Sequence, residues 1–166
     1  MGTGRAYRAT MAKDLVRVQI DGVMYALEVG RIREIVNPLS LIALPHERPF
    51  VLGVADYRED VVPVVDLRSF FGLPPVEATR KTKWIIVQSN ERLVGVVVDE
   101  VLDVFSSAGD RQRAVPVLDE RHVERGITTA YRHQKQLVFL LDPERLAEPA
   151  TRIPKAELSI LPSESP

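Results

Sequence analysis

The chain has 166 residues, 45% hydrophobic and 27% charged, enough for one ordinary domain or for two small barrels sharing a core. Its 22 basic and 23 acidic residues are interspersed and leave a net charge of -1, which argues against the electrostatic footprint of a nucleic-acid or anionic-membrane binder. With no cysteine there is no disulfide framework, thiolate metal site or thiol nucleophile, and no run nears the ~20 apolar residues of a spanning helix, so a cytoplasmic location is the expectation.

Residues 1–13 are small, polar and basic without periodicity and read as a loosely held tail. Val16, Val18 and Ile20 then alternate with Arg17 and Gln19, the pattern of a half-buried strand. Asp21-Gly22 supplies a turn that tolerates positive φ, and a return strand follows from about Met24 to Val29. A second hairpin is expected from Phe50–Ala55 and Val61–Val65, where Pro63 argues for an edge position or a bulge. Asp66 can cap a short helix over Leu67–Phe71, with Gly72 placed to end it and Pro74-Pro75 preventing continuation. Asp142-Pro143 repeats that logic, a cap followed by proline at the first helical position. Residues 148–166, with Pro149, Pro154, Pro162 and Pro166 among Ser and Glu, read as a second tail.

The chain also resembles itself. Residues from Val18 onward lie over residues from Val87 onward without a gap: the turns Asp21-Gly22 and Asn90-Glu91 coincide, Glu34 meets Asp103 and Ile35 meets Val104. Further on, Gly53, Tyr57-Arg58 and Asp66 recur in the same order as Gly126, Tyr131-Arg132 and Asp142. Two hairpins rich in Val and Ile can align by chance; agreement in the order of four features favours duplication. Two sets of about five short strands suggest two small barrels, since closure removes sheet edges, with the join of the halves near residues 74–83.

Catalytic signals are wanting. His46, His122 and His133 lie in separate polar segments without metal-ligand spacing, no glycine-rich phosphate cradle or GxSxG elbow occurs, and the paired acids Glu59-Asp60 and Asp99-Glu100 sit at turn-like positions. No enzyme activity, cofactor or metal is expected. Glu34, set among Ile32, Ile35 and Val36, and Arg58, at a hairpin tip, are the best candidates for recognition. Either can simply be solvated; if the barrels bring them together, they form a rigid Arg–carboxylate element.

The strings Val29-Gly-Arg-Ile-Arg-Glu34-Ile-Val, Pro49-Phe-Val-Leu-Gly53-Val, Val61-Val-Pro-Val-Val-Asp66-Leu-Arg and Leu93-Val-Gly95-Val-Val-Val-Asp99 together resemble the CheW family of chemotaxis adaptors, in order and spacing from about Leu15 to Leu146. The resemblance implies an all-β fold over residues 14–147: two five-stranded SH3-like β-barrel subdomains around a shared core, with a few short helices and room for strand exchange between the halves. It implies two partners, the coiled-coil tip of a chemoreceptor and the CheW-like regulatory domain of a CheA-type histidine kinase. It implies no enzyme, no nucleic acid and no membrane insertion, in a cytoplasmic protein recruited to receptor arrays. Carried over residue by residue, the receptor-facing groove between the barrels would hold Ile32, Glu34, Gly53, Arg58, Lys83 and Val104, and the kinase-facing surface Ile35, Leu41, Ile42 and Val61. One departure stands out. Where the family usually reads Asn-Leu-Arg-Gly, this chain has Asp56-Tyr57-Arg58-Glu59, so Glu59-Asp60 must turn the chain without the glycine. That loss admits a second reading, a divergent paralogue that binds receptor without coupling to the kinase. An oligonucleotide-binding barrel is disfavoured because Trp84, Tyr25, Tyr57 and Tyr131 do not cluster with basic residues.

Overall fold

A computed structural model describes residues 13–107, 111–113 and 124–159. The N-terminal tail expected over residues 1–13, save Lys13, lies outside these residues, as do His122 and the last seven positions. The chain runs β1 (Asp14–Ile20), β2 (Val23–Glu28), a 3-10 turn (Val29–Arg31), β3 (Ile32–Val36), β4 (Val51–Tyr57), β5 (Asp60–Asp66), α1 (Leu67–Phe70), β6 (Lys83–Ser89), β7 (Arg92–Val98), β8 (Glu100–Ser106), β9 (Arg111–Arg113), β10 (Ile127–His133), β11 (Gln136–Leu141), α2 (Pro143–Thr151) and α3 (Lys155–Ser159).

Local chemistry accounts for most of these boundaries. Asp21 and Gly22, at φ of 52° and 76°, make the tight turn whose twist matches the flanking strands. Asp66 and Asp142 cap α1 and α2 by accepting the amide hydrogens of Arg68 and Glu144, and Pro143 occupies the first helical turn.

The strands form two sheets, ordered β8-β1-β2-β11-β10-β9 and β3-β6-β7-β5-β4. Setting β1 to β5 against β6, β7, β8, β10 and β11 makes the two orders identical, with β9 added at one edge. The internal repeat is therefore structural, and its halves are exchanged. Hairpin β1–β2 of the first half pairs with β8 and β11 of the second, while β6–β7 of the second pairs with β3 and β5 of the first. Residues 74–83 thus join the halves of the sequence but separate no barrels. Between the sheets lies one shared core, with Val16, Val18, Tyr25 and Leu27 packed with Val65, Ile85, Val87, Val96, Leu141 and Leu146.

Three expectations need correction. Strand β5 is internal, between β7 and β4, although it carries Pro63, so the edge is wrong. The other alternative, a bulge, has a counterpart in the register break of the β4–β5 pair between Val51 and Gly53. The proline is tolerated because Val54, its register partner in β4, spends both its amide and its carbonyl on Ile42, so the pair needs no bond from residue 63. The parallel ladder to β7 begins only at Val64. The hairpin tip is turned by Arg58, at φ 55°, together with Glu59, and not by Glu59 with Asp60; Asp60 is already in β5, opposite Tyr57. Finally, residues 148–159 are not a tail. Leu146, Ala147, Ala150 and Ile153 lie at helical spacing and are fully buried, and Leu158 is buried beyond them, so apolar periodicity outweighs the prolines that suggested looseness.

Candidate partner-binding site

The β4–β5 tip folds over the edge strand β3. Tyr57, in β4, buries its ring among Val62, Ile86, Val36, Leu39 and Leu93, which leaves its hydroxyl at the rim. There it donates a 2.5 Å hydrogen bond to Glu34 Oε1. Arg58 Nη2 donates to the same oxygen at 2.7 Å, its Nε lies 3.2 Å from the Tyr57 hydroxyl, and its guanidinium sits over the Tyr57 ring, 5.5 Å from the centroid. β3 and β4 are the two edges of their sheet, so this triad ties edge to edge and closes the barrel that the β3-β6-β7-β5-β4 sheet forms.

The two sequence candidates do meet, within one barrel. The third member, Tyr57, escaped the sequence reading, although a tyrosine where the family has leucine was the available signal. The Tyr57 hydroxyl first, and Arg58 second, hold the Glu34 carboxyl below the usual carboxylate range, while Tyr57 first, and Glu34 second, push the Arg58 guanidinium further up. The pair is therefore charged at neutral pH, and the tie loosens as pH falls through the lowered pKa of Glu34. In the Tyr57→Phe variant, the Glu34 carboxyl should titrate at higher pH than in the parent chain; carboxyl carbon chemical shifts followed against pH read this directly. An unchanged titration would show that the hydroxyl does not hold the carboxylate.

The repeat places Asp103 where Glu34 stands, and the first sheet answers with its own pair. Arg17 grips Asp103 through Nε at 3.0 Å and Nη2 at 2.7 Å, and reaches Gln136 at the β10–β11 tip. Here the arginine comes from β1 and is largely buried, whereas Arg58 is 68% exposed.

The other candidates fall into separate places. Ile32 is half-buried against the shared core. Ile35 and Val104, which the repeat superimposes, are both exposed, on β3 and β8 respectively. Val104 pairs with Val16 in the first sheet, so it belongs to the other barrel from Glu34. Lys83 opens β6 and donates to the carbonyl of Arg80. Gly53 is buried, and its lack of a side chain lets β4 approach Ile42, whose carbonyl oxygen would lie 2.6 Å from an added Cβ. Leu41 is exposed, while Ile42 and Val61 are half-buried beneath Ile153 and Leu158.

A buried arginine that the sequence did not flag organises the opposite end. Arg68 donates from Nη1 to Asp99 at 2.6 Å, from Nη2 to Asp21 at 3.2 Å and from Nε to the Pro74 carbonyl at 2.9 Å. Asp99 also accepts the Asp21 amide. One side chain thus ties α1 and the loop after it to the β1–β2 turn and to the residue joining β7 to β8.

Among the described residues no helix is long and apolar enough to cross a membrane, and no group of three or more His, Asp or Glu side chains could hold a metal ion. A family model described as the CheW-like domain matches residues 14–150. A probable chemotaxis protein CheW from Rhizobium etli is 27% identical over 137 residues, covering 81% of this chain and 86% of the relative. The chemotaxis protein CheW of Bacillus subtilis is 27% identical over 128 residues, covering 77% and 82%. Among solved structures, that of the scaffolding protein TtCheW from Thermoanaerobacter tengcongensis matches with a TM-score of 0.71, covering 82% of this chain and 88% of that one at 20% identity, a likeness of fold.

Proposed function

We propose, since this chain belongs to the CheW-like domain family, that it is a non-catalytic cytoplasmic adaptor coupling a chemoreceptor to a CheA-type histidine kinase. Proteins of this family are chemotaxis scaffolds, and nothing among the described residues points to catalysis. The observation that carries the reading furthest is the Glu34–Tyr57–Arg58 triad. It presents an exposed guanidinium, fixed in direction by a carboxylate and a phenol. A helical receptor tip would lay its apolar stripe along β3 and set its register by a carboxylate on Arg58. Ile32, Lys83 and Val104 complete the receptor side as the family resemblance assigns it. Ile35, Leu41, Ile42 and Val61 form the kinase side, barrel against barrel, as an apolar patch with a polar rim.

Arg58→Ala is expected to weaken binding of the helical receptor tip by about tenfold or more, the loss typical of a central arginine in a recognition patch. Titration calorimetry with a receptor fragment reads this, with the melting temperature as control. If the unaltered chain binds neither receptor tip nor kinase regulatory domain, the adaptor reading is wrong.

A second reading, receptor binding without kinase coupling, is favoured by one observation: Ile42 and Val61 are partly covered by the chain's own C-terminal residues. Kinase autophosphorylation in a reconstituted mixture with receptor separates the two, since only a coupling protein stimulates it.

A further inference from the structure

The cover over Ile42 and Val61 is short and specific. α2 ends at Thr151, and Arg92 in β7 holds the chain there by donating to the carbonyls of Thr151 and Ile153. Ile153 is thereby pinned, fully buried beside Val54. Past Pro154, α3 lays Leu158 over Ile42, Leu44, Val51 and Val61. Lys155 and Leu158 also form one wall of an open cleft of about 510 Å³, whose other walls include Arg33, Val61 and Leu93. These residues, 151–159, lie beyond the stretch matched by the family model, which ends at 150.

The fastening of α3 is incomplete. Among the described residues, its one close ion pair runs from Arg48 Nη2 to Glu157 Oε2 at 2.8 Å, with both side chains mostly buried. The remaining polar atoms of that pair, Arg48 Nε and Glu157 Oε1, are buried without a hydrogen-bond partner. A half-satisfied buried pair contributes little to holding two surfaces together, because the unpaired atoms keep their desolvation cost. The other pair, Lys155 with Glu91, spans 3.6 Å between exposed side chains and is weakened by solvent. Among the described residues, the side-chain contacts that hold α3 on this face are thus Leu158 and a half-satisfied ion pair, whereas Ile153 is held by backbone bonds and packing. The division falls at Pro154, which donates no backbone bond.

We infer that α3 is a displaceable cover of the apolar β4–β5 face, and that the regulatory domain of the kinase binds this face by taking the place of α3. This rests on the kinase side of the adaptor reading and adds its regulation. α3 also describes what must replace it: an apolar side chain where Leu158 sits and a carboxylate to meet Arg48 where Glu157 sits. Such a partner competes with the chain's own segment. Its apparent dissociation constant is the intrinsic one divided by the fraction of molecules with α3 lifted.

The test uses the full chain and three variants against the isolated kinase regulatory domain by calorimetry, with thermal melting and sedimentation alongside. Glu157→Arg opposes Arg48 and lifts α3 while leaving Ile153 in place; binding should tighten by about tenfold if α3 is lifted in about a tenth of the parent molecules. Arg48→Glu combined with Glu157→Arg restores the pair with reversed charge, so α3 closes again and the partner loses Arg48; binding should fall below that of the parent. Leu158→Ala loosens the cover without a new charge and should tighten binding in the same direction as Glu157→Arg. Hydrogen exchange at residues 155–159 checks that the cover has opened. Equal binding by all four chains, with exchange confirming the opening, overturns the cover while leaving the kinase reading intact. Absence of binding by all four overturns both. Self-association of Glu157→Arg without tighter kinase binding assigns the face to a second copy and overturns the proposal.

Discussion

Gly53→Ala should lower the folding stability of this protein by about 3 kcal/mol, the sum of a rarely populated backbone conformation and an overfilled contact. Gly53 adopts φ 151°, where L side chains are strained, and its added Cβ would stand 2.6 Å from the Ile42 carbonyl oxygen. That oxygen belongs to backbone and cannot swing away as a flexible side chain would. Ile42 exchanges hydrogen bonds with Val54 in both directions, at 2.7 and 2.9 Å, so relieving the clash parts the segment before β4 from β4 itself. The measurement is urea denaturation followed by circular dichroism, with a lower midpoint and an unchanged slope. The result also discriminates between roles. The family resemblance places Gly53 on the receptor side; a variant with parental stability and lost receptor binding would support that placement against the structural one.

Arg68→Met is the second large effect. Removing the guanidinium leaves Asp99 facing a buried methionine stem, and breaking a buried pair from one side costs about 3 kcal/mol, the lower end of the usual range because Asp21 is half exposed. Asp99→Asn in the same chain removes the charge left behind. The double variant should therefore be more stable than the sum of the two single losses predicts. A double-mutant cycle by denaturation reads the coupling. Strict additivity would mean that Arg68 acts through its packing alone, and that the network does not hold the two hairpin ends together.

How much of this was legible in the sequence depends on how local the cause is. The Asp21-Gly22 turn and the caps Asp66 and Asp142 were readable because each acts within three or four residues of itself. The repeat was readable as pattern and proves to be topology. Glu34 stood out as a carboxylate in an apolar strand, and Arg58 as its counterpart, because a charge in such a place needs a partner. What was hidden depends on residues distant in sequence. Pro63 argues for an edge until Ile42 is seen to take both hydrogen bonds of the facing Val54. Arg68 reads as a helix-surface arginine until Asp21 and Asp99 arrive from either side. The exchange of hairpins leaves no local mark, since a strand's alternation is the same whichever neighbour it meets. The C-terminal helices were obscured for another reason: proline frequency weighed against a stripe of Leu146, Ala147, Ala150 and Ile153 that was present all along.

The exchanged hairpins also bear on how this molecule is made. As the chain leaves the ribosome, β1 and β2 have only each other; β8, which flanks β1, follows some 86 residues later, as the spacing of Arg17 and Asp103 shows, and the β2 neighbour β11 comes later still. Closing loops of that length before any contact rewards them slows folding and leaves open strand edges in the meantime. In return, the first sheet cannot be completed until β11 has been made, whereas all strands of the second, β3 to β7, are present once residue 98 has emerged. A product cut short after β7 would carry Glu34 and Arg58 on a sheet whose core face still lacks Leu141 and Leu146, so the shared core, not either sheet alone, is what only the finished chain can close.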